Sequence, residues 1–305
     1  MKIKKIIYQI IKYPLILIFI KTPLLIYLKR RFMYRRSINN MGSININIIH
    51  RTLDAIFDRE YYLKLENKEE FRLLSDMTLS RGNGRRWAEH YYENHFLNLD
   101  ELKKRRIGNM SYDEATLIFS RVIEYLNNVS INNKNLYLMQ IGSSSGRDLE
   151  FFYKLFPHIN YISTDINNEI LNFQKEKYKY KNFDFYKCHA EDIDKCIKEF
   201  SISDKELVII SIGSLQYVNQ FFISDFFHKI SKYNNMNLFL MEPVSLSFLK
   251  NDVKLSDNRA FTSFSHNYKK YSKNLITVEE KIITPYSIND KKHGDTAHYY
   301  LHLKS

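Results

Sequence analysis

Only two cysteines occur in 305 residues, Cys188 and Cys196. That is too few, at the wrong spacing, for a disulfide framework or a zinc site, and it suits a chain that works in a reducing compartment. Internal repeats are absent, and the Asn, Lys and Ile richness reads as composition bias rather than a functional low-complexity tract. Residues 1–36 hold no acidic side chain, whereas ten lysines and arginines fall there (Lys2, Lys4, Lys5, Lys12, Lys21, Lys29, Arg30, Arg31, Arg35 and Arg36). The chain's formal charge of +12 therefore leaves +2 for residues 37–305. A charge confined to one segment does not make the body of the chain a nucleic-acid binder. The same segment lacks an uncharged apolar run of the roughly 18 residues a membrane span needs, because Lys12 and Lys21 interrupt it. It also lacks the small-residue cleavage site of a signal peptide.

What this segment does contain is amphipathic. Lys2, Lys5, Gln9 and Lys12 share one helical face, with Ile3, Ile6, Ile7, Ile10 and Ile11 largely on the other. Apolar runs follow at residues 15–20 and 24–28. A helix lying in the interface of an anionic cytoplasmic leaflet is the expectation, with a single span as the alternative. A helix packed on the domain or on a second subunit is the plainer reading. Residues 37–130 read as short helices forming a cap, broken at Gly82-Asn-Gly84. Ser111-Tyr-Asp-Glu114 is a capping-box pattern opening a last helix that packs on the sheet through Leu117, Ile118, Val122, Ile123 and Leu126.

The body begins with an apolar run, Leu136 to Ile141, which reads as a buried strand. It enters a small-residue loop, Gly142-Ser-Ser-Ser-Gly146, and then a helix from Arg147 to Phe156 stopped by Pro157. A second strand ends at Asp165, so strand, loop, helix, strand and acid follow in the order of a nucleotide-binding unit. A dinucleotide fingerprint is excluded, because Ser144 and Arg147 stand where two of its glycines belong. Three more strands are expected, at Phe183–Cys188, Leu207–Ile212 and Asn237–Glu242, the last stopped by Pro243. Two β-rich runs, Leu275–Ile283 and Ala297–Leu303, form a closing hairpin.

Gly142-x-x-x-Gly146 resembles motif I of the class I S-adenosylmethionine (SAM)-dependent methyltransferases, usually G-x-G-x-G. Ser144 replaces the middle glycine, and Gln140 stands where that family often has an acid. The segment His189-Ala-Glu-Asp-Ile193 resembles the family's adenine-reading segment, and the resemblance covers residues 131–305. It implies an α/β fold: a Rossmann-like, mostly parallel sheet with a C-terminal antiparallel hairpin. It also implies SAM as cofactor, held by Gly142, Ser144, Gly146, Asp165, Ile166, Glu191, Asp192, Ile193 and Ser211. Of these, Gly142, Ser144 and Gly146 would approach the methionine part, Asp165 the ribose hydroxyls, and Asp192 with Ile193 the adenine.

Methyl transfer from a sulfonium is an in-line displacement that requires the acceptor to be positioned and, for a hydroxyl, its proton removed. Candidate bases are His266 and Glu242, with His90 and His95 in the cap. His266 is expected in a substrate-facing loop and Glu242 at the carboxyl end of a strand. An aromatic group over the cleft is offered by Trp87, Tyr91 and Tyr92. The loop after the fourth strand lacks the Asn/Asp-Pro-Pro-aromatic pattern of methyltransferases acting on exocyclic or amide nitrogens. The expected reaction is therefore O-methylation of a small molecule, glycan or lipid-linked acceptor, with the membrane surface met through residues 1–36. No metal is expected. The alternatives are an RNA methyltransferase, which the apolar residues among the tail lysines disfavour, and a SAM-fold membrane scaffold without catalysis.

Overall fold

A computed structural model describes residues 84–94, 112–130, 133, 135–250, 253–260, 263–283 and 296–305. The basic segment 1–36, most of the expected cap (including His95) and the cap of the capping-box helix lie outside the described residues. Among the described residues no helix is long and apolar enough to cross a membrane.

The architecture is a seven-stranded sheet in the order β3-β2-β1-β4-β5-β9-β8. Its strands are β1 (Leu136–Ile141), β2 (Asn160–Asp165), β3 (Phe183–Lys187), β4 (Glu206–Ile212), β5 (Met236–Ser245), β8 (Ile276–Ile283) and β9 (Thr296–Lys304). The first five run parallel, and β9 pairs antiparallel with both β5 and β8. Helices cover both faces, so strand side chains are buried alternately on two sides and the sequence shows continuous apolar runs. Leu207, Ile209, Leu238 and Leu240 pack on one side with Ile193, Ile197, Ile223 and Phe226 of the helices α5 (Ile193–Glu199) and α6 (Gln220–Ile230). Val208, Ile210, Phe239 and Met241 pack on the other with the helices α2 (Tyr112–Val129) and α3 (Arg147–Leu155). From α2 the contact comes through Ile118, Val122 and Leu126, four residues apart, so the last cap helix does pack on the sheet.

Two elements depart from expectation. Strand β5 does not stop at Pro243 but runs through it to Ser245, with Pro243 opposite His298 of β9. The Met241 carbonyl accepts from Gly213 on the β4 side. Two residues on, the missing Pro243 N–H faces that same side, where the β4 pairing has already ended at Ile212. Nothing in the ladder requires it. The second departure is a small sheet of β6 (Ser256–Ala260) and β7 (Ser263–His266), which puts His266 inside a strand rather than in a loop.

Helix α1 (Gly84–Asn94) lies against α4 (Asn168–Lys177) through Ala88, Ile170 and Phe173. Its first N–H, that of Gly84, donates to the Glu169 carboxylate at 2.7 Å, a negative group at a helix N-terminus. The Arg85–Glu176 ion pair across the same contact is exposed and adds little.

Candidate functional site

The loop after β1 alternates in hand. Gly142 has φ 62°, Ser144 φ 52° and Gly146 φ 75°, whereas Ser143 and Ser145 do not have positive φ. Such alternation folds the loop tightly on itself: the Ser143 N–H donates to the Thr164 carbonyl at 2.9 Å and the Gly146 N–H to the Ser143 carbonyl at 2.8 Å. At Gly142 a Cβ would meet the Ser214 Oγ at 2.5 Å, and at Gly146 one would meet the Tyr178 ring at 2.6 Å. Both positions thus require glycine for space as well as for hand. Ser144 bears the left-handed conformation without that freedom, as its place in the motif implied.

Side chains that no motif announces hold this loop. Gln174 of α4 is fully buried and donates both Nε2 protons, to the Ser143 Oγ at 2.9 Å and the Ser144 carbonyl at 2.6 Å. Its carbonyl oxygen accepts from the Ser163 hydroxyl, which lies 2.6 Å from the Ser143 Oγ. The Tyr178 hydroxyl donates to the Ser145 carbonyl at 2.8 Å. Arg147 opens α3 beneath the cap helix, its guanidinium 4.2 Å from the centre of the Tyr92 ring. Of the expected aromatic group, Tyr92 therefore lies over the helix that follows the loop. Of Trp87 only the backbone is described, and His90 is exposed.

Asp165 closes β2 beside the loop. One carboxylate oxygen accepts from the Ser144 N–H at 3.2 Å and the other from the Asn167 N–H at 2.9 Å. Burial raises its pKa to about 6 against the opposing pull of these N–H groups. Gly142, Ser144, Gly146 and Asp165 are thus brought together, and Ile166 follows, half-buried. The Cys188 N–H donates to the Asp165 carbonyl at 3.1 Å, which ties the end of β3 to the same edge. Beyond it Ala190–Asp192 forms a single 3-10 turn. Lys229 of α6 holds that turn through the Glu191 carbonyl and through Asp194 at 2.8 Å. Asp192 lies 3.2 Å from Lys195, and Ile193 is spent on the core.

Ser211 and Glu242 meet where β4 ends; Glu242 lies not at the end of β5, the place expected for it, but inside the strand, one residue past its pairing with β4. Glu242 is completely buried. Its Oε1 accepts from the Ser211 hydroxyl at 2.6 Å and from the N–H groups of Ser214 and Leu215, each at 3.1 Å; its Oε2 accepts from the Gln216 N–H at 3.1 Å. Burial outweighs these four donors and raises the carboxyl to about 7. His266 grips the same loop from the other end. The Val218 carbonyl, 2.9 Å away, can only accept, so His266 Nε2 carries the proton and Nδ1 accepts from the Ser256 hydroxyl at 2.7 Å. Burial holds this imidazole neutral, its pKa lowered to about 4. Both candidate bases are therefore committed to residues 213–218 and present no free atom to an acceptor. Ser214 completes the edge, its hydroxyl donating to the Gly142 carbonyl at 3.1 Å.

Among the described residues no cluster of His, Cys, Asp and Glu could hold a metal ion. No family model matches the chain, and no curated protein matches it in sequence. Solved structures do match in shape. A protein from Galdieria sulphuraria assigned as a sarcosine dimethylglycine methyltransferase superposes with TM-score 0.50 at 9% identity, covering 73% of this chain and 98% of its own. A SAM-dependent methyltransferase from Anabaena variabilis gives 0.45 at 12% identity, covering 72% and 92%. With a parallel five-strand core closed by the antiparallel pair β9 and β8, the chain has the class I SAM-dependent methyltransferase fold.

Proposed function

We propose that the chain is a SAM-dependent methyltransferase acting on an oxygen of a small-molecule, glycan or lipid-linked acceptor. The observation that carries the cofactor assignment is the alternating-hand loop, with its middle N–H held by the Asp165 carboxylate at 3.2 Å. One further atom argues that the residues fit such a ligand. The Ser144 Oγ is buried and has no hydrogen-bond partner among the described residues. An orphaned hydroxyl on a tight loop beside Asp165 suits the amino-acid end of the cofactor. The Asp165 carboxylate retains lone pairs for a vicinal diol. Ile166 would flank the ribose, and Glu191 and Asp192 the adenine, with Ile193 anchoring their turn in the core; Ser211 would lie toward the end of β4 nearest the transferred group. When bound, SAM supplies an electrophilic methyl group.

The chain's own contribution is then positional. We assign Glu242 and His266 to holding residues 213–218 in place rather than to proton transfer, because every polar atom of both is already bonded. A loop clamped at both ends would orient an acceptor at the ends of β4 and β5, the edge where open α/β sheets bind ligands. Oxygen as the nucleophile rests on the missing Asn/Asp-Pro-Pro-aromatic pattern, and the membrane location on residues 1–36.

Isothermal titration of the full chain with SAM and S-adenosylhomocysteine tests the reading. Saturable binding is expected, weakened about tenfold or more by Asp165→Asn, which loses a charge-assisted acceptor. Absence of binding by the wild-type chain would overturn it. Deleting residues 1–36 should release the protein from membrane fractions, and unchanged fractionation would sink the location.

A further inference from the structure

One cation at the far edge of the site has no carboxylate in direct contact among the described residues. Arg259, on β6, is partly buried, and its side-chain partner is the neutral carboxamide oxygen of Gln216. The Gln216 amide is oriented by its own bond to the Gly213 carbonyl at 2.6 Å, so its oxygen faces the guanidinium. The Arg259 Nε is buried with no hydrogen-bond partner among the described residues. Glu242 lies near enough to act on this charge, but its two oxygens are taken by four donors. Burial lowers the Arg259 pKa, and a guanidinium withdrawn from water without a carboxylate is a costly arrangement unless a ligand completes it.

A second orphan stands beside it. Tyr268 is fully buried, its ring packed among Phe227, His266 and Tyr299, yet its hydroxyl has no partner among the described residues. Arg259 and Glu242 both lie near enough to act on that phenol. Tyr217, partly exposed at the mouth, neighbours Arg259 on one side and Tyr91 of the cap helix on the other. The unspent groups here are therefore donors: guanidinium N–H groups and one phenol O–H. The nearby Glu242 carboxylate has three donors on Oε1 and one on Oε2, all from the loop it holds and from Ser211. A cationic ligand would meet an uncompensated positive charge, and an uncharged one would leave it unanswered.

We propose that Arg259 and Tyr268 form an oxyanion-anchoring subsite, and that the methyl acceptor carries a carboxylate or phosphate group bound there. The planar guanidinium accommodates two oxygens of such a group at once, and the tyrosine hydroxyl donates to one of them. Anchoring an acceptor by its charged end, past the ends of β4 and β5, would leave its nucleophilic end free to turn toward the Gly142 loop. Naming the ligand as the acceptor rests on the methyltransferase reading; the anion site itself does not.

The full chain is titrated by calorimetry with inorganic phosphate, with acetate and with SAM, at constant ionic strength. Wild type should bind at least one anion saturably, and which of the two binds distinguishes a phosphoryl from a carboxyl acceptor. Arg259→Gln should lose at least tenfold in affinity, Arg259→Lys less, and Tyr268→Phe about threefold, all with SAM binding retained. Equal anion affinity in wild type and the Arg259 variants, or no anion binding by wild type, would overturn the subsite. Should Arg259→Gln fail to fold, Arg259→Lys and Tyr268→Phe carry the comparison, and wild-type affinity in both refutes the proposal. Anion binding that depends on Arg259 in a chain that ignores SAM would sink the methyltransferase reading and leave the subsite standing.

Discussion

Replacing Glu242 by glutamine isolates the cost of keeping a carboxylate at the centre of this fold. A glutamine whose oxygen takes the place of Oε1 keeps the Ser211, Ser214 and Leu215 donors. Its nitrogen then faces the Gln216 N–H, donor against donor, at a cost of about 1–3 kcal/mol. That offset does not vary with pH, because the amide does not titrate. The wild-type carboxyl does titrate, and burial has raised it from 4.5 to about 7. A raised carboxyl holds its proton in the folded chain at pH values where the unfolded chain has released it. Its stabilising contribution is thus fully present below about pH 4.5 and is lost as pH rises through 7. Between about pH 6 and pH 8 the linkage relation assigns about 1 kcal/mol of that loss to this one group. Asp165 and His266 titrate in both proteins and cancel in the difference. Urea unfolding of both at each pH should therefore show the variant gaining about 1 kcal/mol on wild type across this interval. A difference that stays constant with pH would refute the reasoning, since the four donors would then balance the burial.

Three positions in and around the Gly142–Gly146 loop give further tests. Ser144→Gly should relieve a left-handed residue at φ 52°, raising stability by up to about 1 kcal/mol in urea unfolding. It should also weaken SAM binding about three- to tenfold, because it removes the buried hydroxyl left for the cofactor; unchanged affinity would show that this hydroxyl does not serve it. Gly146→Ala should destabilise by about 1–3 kcal/mol, since φ is 75° and the added methyl would sit 2.6 Å from the Tyr178 ring. Wild-type stability of that variant would show that the loop relaxes freely. Gln174→Leu should cost about 1–3 kcal/mol and weaken SAM binding, because it strands the Ser144 carbonyl and leaves the Ser163 and Ser143 hydroxyls only each other. Unchanged SAM affinity would show that this network does not set the loop's shape.

The fold was legible in the chain because its two cues are local. Strands covered on both faces bury nearly every residue, so Leu136–Ile141 and Leu207–Ile212 stand out as apolar runs broken only by Gln140 and Ser211. The loop showed itself through glycines at positions whose backbone is left-handed, and Asp165 through its place at the end of the next strand. By itself, then, the sequence determined the order of elements and the α/β class, and it pointed to the loop and the acid that the fold brings together. Pro243 misled because a proline's effect depends on which side its missing N–H faces, and that is set by where the neighbouring strand ends. His266 and Glu242 looked like candidate bases because their chemistry is visible in one dimension and their burial is not. Only the tertiary structure decided that both clamp one loop, that Gln174 and Tyr178 brace another, and that Arg259 stands beside Tyr268 with donors unspent. Each of those facts is a contact between chain segments brought together by sheet order and register. No periodicity in the sequence encodes which buried polar atoms will find partners and which will be left for a ligand.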